Sequence, residues 1–167
     1  MKPFVRLMML AGLAAPCLSH AADLSKSDLK YMTESAQGLM SELKLGTMAE
    51  QRASDEGVKN FGKQMVADHG KDLQDLQQLA KQKQVKLPET MNDDQSKEAS
   101  KLEKLSGKDF DREYVKYEVK DHKDDIKEQK EVLKKTRDPE LKQFAGKELD
   151  TVTGHKKTVD ALHARIK

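Results

Sequence analysis

Apolar residues recur at intervals of three and four along most of the chain. Leu29, Met32, Ala36, Leu39, Leu43 and Gly46 form one such stripe and predict a helix over about Ser27–Ala53. Ser25 and Asp28 stand at capping-box spacing before it. Ser54-Asp55-Glu56 reads as a new N-cap with acids in the first turn. A second helix then runs to about Lys83, with Val58, Phe61, Met65, Leu73, Leu76 and Ala80 on one face. Val85–Met91, which contains Pro88, is a connection, and a short helix follows over Asp93–Leu105. Ser106-Gly107 breaks it. Phe110–Lys135 carries Val115, Val119, Ile126 and Leu133 as the next long stripe. Asp138-Pro139-Glu140 places an N-cap and a first-position proline before the last helix, which runs through Leu141, Phe144, Val152, Val159, Leu162 and Ile166. Four long stripes joined by short connections predict an all-α fold. The expected form is an antiparallel four-helix bundle, with a short extra helix between long helices two and three.

The first residues differ in character. Met1–Arg6 carries Lys2 and Arg6 without an acid, Leu7–Leu18 is mostly Leu, Met and Ala, and Ser19-His20-Ala21 places small residues where a signal peptidase reads. Residues 1–21 are therefore expected to be a cleavable secretory signal, with the cut after Ala21 or alternatively Ala22, and 22–167 a single helical domain in the periplasm. Lipid attachment at Cys17 is the competing reading, and Pro16 directly before it fits a lipoprotein signal poorly. Beyond the leader no apolar run reaches transmembrane length, and no alternating run suggests an outer-membrane barrel.

Charge changes the picture only by exclusion. The chain has 31 basic and 29 acidic residues, and removing Lys2 and Arg6 leaves the two in equal number. They are interleaved throughout, which reads as solvated helix faces and argues against a nucleic-acid partner. A charged fraction of 36% could also belong to a disordered chain, and the helical periodicity decides against that. Beyond the leader there is no cysteine, so packing alone must hold the helices. No Gly-flanked serine elbow or phosphate-cradling loop is present, and no catalytic residue is assigned.

Histidine placement carries the candidate chemistry. At roughly 100° per residue, His69 shares the arc of Val58, Met65, Leu73 and Leu76. His122 lies with Val115, Ile126 and Leu133, and His155 with Phe144, Val159 and Leu162. Three helices thus each aim one imidazole inward, while His163 sits at a stripe edge near the tail. Glu42, Asp72, Asp111, Glu118 and Glu148 share these stripes. Interior imidazoles and carboxylates on facing helices are how bundles build metal sites, for iron, copper, zinc or manganese. The proposed ligands are Glu42, His69, His122 and His155, with Glu118 as ligand or supporting group. Alternatively, these His–carboxylate pairs only fix helix register. Met32, Met40 and Met48 recur every eight residues and read as core filling before they read as a copper(I) site. Haem has little support, because no haem-attachment cysteine pair exists. Tyr114 and Tyr117 are expected to seal the bundle with outward hydroxyls.

Several of these segments together resemble a bacterial family of unknown function, often labelled as outer membrane proteins and assigned to the ferritin-like superfamily. The resemblance rests on Glu42 with Leu45 and Ala49, on Val58-Lys59-Asn60-Phe61 followed by Met65-Val66-Ala67-Asp68-His69, and on Leu87-Pro88. It continues through Gly107-Lys108-Asp109-Phe110-Asp111 with Tyr114 and His122, and through Asp138–Ala145 to His155. Asp150 departs from it, since members commonly have proline after the leucine. The resemblance implies a ferritin-like four-helix fold and an envelope location, but no activity. Val66, Val119 and Val152 stand three residues before the histidines, so the Glu-x-x-His pairs of di-iron bundles are absent. The functional expectation is an exported helical bundle binding a transition metal. The alternative is a non-catalytic envelope or stress-related interaction module with a purely structural polar interior.

Overall fold

The computed structural model describes residues 24–166, and the expected signal and its cleavage site lie outside them. Among the described residues there are five helices and no strand: α1 Lys26–Arg52, α2 Glu56–Gln82, α3 Asp93–Leu102, α4 Gly107–Lys135 and α5 Pro139–Arg165. None of these helices is long and apolar enough to cross a membrane.

Local chemistry sets the boundaries. Ser25 and Asp28 close the expected capping box on α1. Asp55 accepts from the backbone N–H groups of Gly57 and Val58 to open α2, and Asp138 accepts from that of Leu141 to open α5. Such caps contribute about 1 kcal/mol each. α2 ends in a Schellman motif: Val85 N–H reaches Ala80 O, Gln84 N–H reaches Lys81 O, and Gln84 takes φ 57°. The short helix stops at Leu102, earlier than expected, because Lys104 and Leu105 turn back to the carbonyls of Lys101 and Leu102. Gly107, at φ 60°, starts α4 three residues before the expected Phe110.

The long helices form a closed ring in which α1 packs on α2 and α4, and α5 packs on the same two. Asp55 meets Arg165, Asp68 meets His155, Asp72 meets Lys147 and Lys83 meets Asp138, so α2 and α5 run in opposite directions. Tyr31 meets Gln129 and Ser54 meets Asp111, which gives α1 and α4 the same relation. α1 and α2 approach closely where Gly46 faces Gly62. A Cβ on Gly62 would lie 2.6 Å from Gly46 O and 2.7 Å from Ala49 Cβ.

The interior is layered. One apolar cluster gathers Leu45, Met48, Phe61, Met65, Phe110, Tyr114 and Leu162, and α3 covers it with Ala99 and Leu102. A second gathers Tyr31, Met32, Leu39, Leu76, Leu141 and Phe144. Between them on every long helix lie buried polar residues: Glu42 on α1, His69 and Asp72 on α2, Glu118 and His122 on α4, Glu148 and His155 on α5. Met32 and Met48 fall in different clusters and serve as core, as expected. Leu29 corrects the first stripe, since it is 40% exposed. The buried face there is set by Asp28, Tyr31, Met32 and Ser35, and Leu29 lies roughly 100° around the helix from Asp28. Asp111 is buried for a local reason: it accepts from the backbone N–H groups of Ser54 and Asp55 and so holds the α1–α2 turn.

Candidate metal centre

His69, His122 and His155 converge from α2, α4 and α5. Each is at most 1% exposed, and their ring centroids lie 5.0 Å (His69–His155), 5.5 Å (His122–His155) and 6.2 Å (His69–His122) apart. One ring nitrogen from each lies within 4.8 Å of the others. Bonds of about 2 Å to a shared ion would draw these nitrogens to roughly 3.3 Å. Phe61 forms one wall, with its centroid 5.9 Å from His122 and 6.2 Å from His155.

Hydrogen bonds fix which nitrogens are free. His122 Nδ1 lies 3.0 Å from the Glu118 carbonyl, which can only accept, so Nδ1 carries the hydrogen and Nε2 keeps its lone pair. His155 Nε2 donates to Asp68 Oδ2 at 2.8 Å and leaves Nδ1 free. Among the described residues neither nitrogen of His69 has a partner, nor do His122 Nε2 and His155 Nδ1. Burial, and then the neighbouring imidazoles, push His69 and His122 down to about 3. Burial also lowers His155, with Asp68 opposing. The rings are therefore neutral at neutral pH, which is the form that binds metal.

A second group shares His69. One ligand atom each from His69, Asp72 and Glu148 falls within the same 4.8 Å of the others, and all three residues are buried. Asp72 Oδ1 receives Lys147 Nζ at 2.9 Å, while Asp72 Oδ2 and Glu148 Oε1 have no partner. Burial, reinforced by the adjacent Asp72 carboxylate, raises Glu148 to about 9.

Glu42 and Glu118 are buried in the same layer but belong to neither group. Burial pushes both well above the usual carboxylate range, with Glu118 and Asp121 adding to the shift of Glu42 and Asp121 to that of Glu118. Glu118 supports the site through its backbone, which orients His122, and its Oε2 lies 3.4 Å from the same Nδ1. Tyr114 corrects the expectation of an outward hydroxyl: it is fully buried, stacks on Phe110, and sets its hydroxyl beside Glu118. His163 is exposed. Sequence reading missed Asp68 as a partner of His155.

An all-α domain with a histidine layer between two apolar clusters is the class that fold and site define. The chain belongs to the family described as "Domain of unknown function (DUF4142)", which matches residues 14–162. No curated protein matches it. Among solved structures it is similar to the DUF305 fragment from Deinococcus radiodurans, with TM-score 0.74 at 13% identity over 84% of this chain and 97% of that one. It is also similar to CopM in its Cu(I)-bound form, with TM-score 0.70 at 14% identity over 83% of this chain and 96% of that one. The Ag-bound form of CopM gives TM-score 0.68 at the same identity and coverage. At such identity the likeness concerns the fold, which is helical in all of them.

Proposed function

We propose that this protein is an exported periplasmic metal-binding domain over residues 22–167, a ferritin-like antiparallel four-helix bundle that takes one transition-metal ion at His69, His122 and His155. The carrying observation is that three buried neutral imidazoles from three helices converge, and each has a ring nitrogen without a partner. Leaving such groups buried without partners is costly, and an ion would satisfy all three at once. Three imidazole donors favour copper or zinc over manganese. CopM structures of similar fold carry Cu(I), Cu(II) and Ag, which is compatible with a soft or borderline ion on this scaffold. The missing Glu-x-x-His pairs argue against di-iron oxidase chemistry. Export is supported by the leader pattern of residues 1–21.

The test is elemental analysis of mature protein purified without chelator or histidine tag, beside the H69Q/H122Q/H155Q variant. Near-stoichiometric metal that disappears in a variant of unchanged helicity is the expected result. Absence of metal in both, after challenge with iron, copper, zinc and manganese, would leave the polar layer a structural device of an envelope interaction module.

A further inference from the structure

A narrow cleft of about 30 Å³ opens between α1 and α4 and reaches inward to His69. Its walls carry Glu34, Glu42, Asp125, Glu128 and Glu148, and among the described residues no lysine or arginine lines it. At the rim, the Glu34 side chain is 42% exposed and pairs with Lys30 at 2.7 Å. At the inner end, Glu42, His69 and Glu148 are each at most 3% exposed. The volume suits one small ion or water. The half-exposed carboxylates Glu34 and Glu128 at the mouth attract cations and raise their on-rate.

The inner end holds unpaired groups of its own: His69, with no partner at either nitrogen and one lone pair to give, Oε1 of Glu148 and, beside them, Oδ2 of Asp72. We infer that His69, Asp72 and Glu148 form a second cation position, which receives a divalent ion through the acid-lined cleft before it passes to the three imidazoles. The passage rests on the metal-binding reading above, whereas the second position stands on its own donors. One imidazole and two carboxylates make a harder set than three imidazoles, so this position accepts Mn²⁺, which the triad disfavours. His69 is common to both. A neutral imidazole offers one lone pair, so the two positions are filled in turn and the protein holds one ion per chain.

Two variants separate the positions. H122Q/H155Q removes the triad and leaves the second position intact, and D72N/E148Q does the reverse. Titrated with Mn²⁺ and followed by the loss of the free-ion EPR signal, H122Q/H155Q is expected to bind one ion per chain. Combining it with D72N/E148Q is expected to abolish that binding. No Mn²⁺ binding by H122Q/H155Q, or binding that survives D72N/E148Q, overturns the second position whether or not the triad takes Cu²⁺. The route has its own variant in an otherwise unchanged site. A Cβ on Gly38, in the cleft wall, meets nothing within 4 Å, so G38L fits the helix while filling the passage. Stopped-flow loading of Cu²⁺ into G38L or E34Q/E128Q is expected to slow by about tenfold at low salt with unchanged final stoichiometry. Rates equal to wild type overturn the route while leaving the triad standing, and no Cu²⁺ uptake by wild type overturns the triad and the passage to it together.

Discussion

His155 Nε2 donates to Asp68 Oδ2 at 2.8 Å across the α2–α5 interface, so a half-exposed carboxylate orients a fully buried ring. Such a partner fixes the tautomer and raises the basicity of the other nitrogen, and removing it typically costs about 10–100-fold in metal affinity. Asp68→Asn is expected to lower affinity by about that factor in competition with a chromophoric chelator, with helicity unchanged. An affinity equal to wild type would leave Asp68 no part in the site.

Much of this site was legible because helical period and imidazole position coincide. His69, His122 and His155 each fall on an apolar arc, and those arcs do face one another. Height along the axis was not legible, since it depends on how helices of 27 to 29 residues slide past each other. Glu42 shows the consequence: its arc is right, yet it faces Glu118 and Asp121 instead of joining the imidazoles. Asp68 was hidden for a different reason. It lies off the apolar stripe of its own helix and contributes only because α5 brings His155 to it. Leu29 misled because a stripe at a helix end reports a face before the neighbouring elements have defined it.

The metal-free protein should be most stable between about pH 4.5 and 6.5. His69 and His122 are held down to about 3 from 6.5. The unfolded chain therefore binds more protons in that interval, and their contribution is lost as pH falls. Asp55, held to about 2 chiefly by its hydrogen bond with Arg165, adds loss in the same direction at lower pH. Glu148 works oppositely. Raised from 4.5 to about 9, it contributes stability that is full below 4.5 and lost as pH rises through about 9. Urea unfolding in chelator across pH 3–9 should fall away on both sides. Stability that keeps rising from pH 7 to 9 would contradict a protonated Glu148.

Gly62→Ala should destabilise the fold by about 1–3 kcal/mol, the usual cost of overpacking. The added methyl would stand 2.6 Å from Gly46 O, and backbone on a packed helix has no easy way to yield. The gain in helix propensity, about 1 kcal/mol, opposes this and is smaller than a clash with backbone. Thermal or urea unfolding measures the balance, and a stabilised variant would mean that α1 and α2 can separate at little cost.

Gln84→Gly is expected to act in the opposite sense. Gln84 holds φ 57° at the end of α2, where a side chain is strained by roughly 1 kcal/mol and glycine is not. Both Schellman hydrogen bonds use backbone only, so the substitution keeps them. A rise in stability of about 1 kcal/mol is expected, with metal binding unchanged because Gln84 lies far along α2 from His69.

His69→Leu separates a binding site from a structural polar layer. The imidazole is 1% exposed, and neither of its nitrogens has a hydrogen-bond partner. If its purpose were to hold the helices together, it would be bonded to them, as Tyr31 is to Gln129 at 2.6 Å. An unsatisfied buried polar group costs about 1–3 kcal/mol, and a leucine of similar volume removes that cost. The variant should therefore be more stable than wild type in chelator, by urea unfolding. With copper or zinc added, the order should reverse. Wild type gains about 2.7 kcal/mol at a hundredfold excess over its dissociation constant, while the variant, lacking the donor common to both groups, gains almost nothing. A variant less stable than wild type without metal, and equally indifferent to metal, would show that His69 serves packing alone.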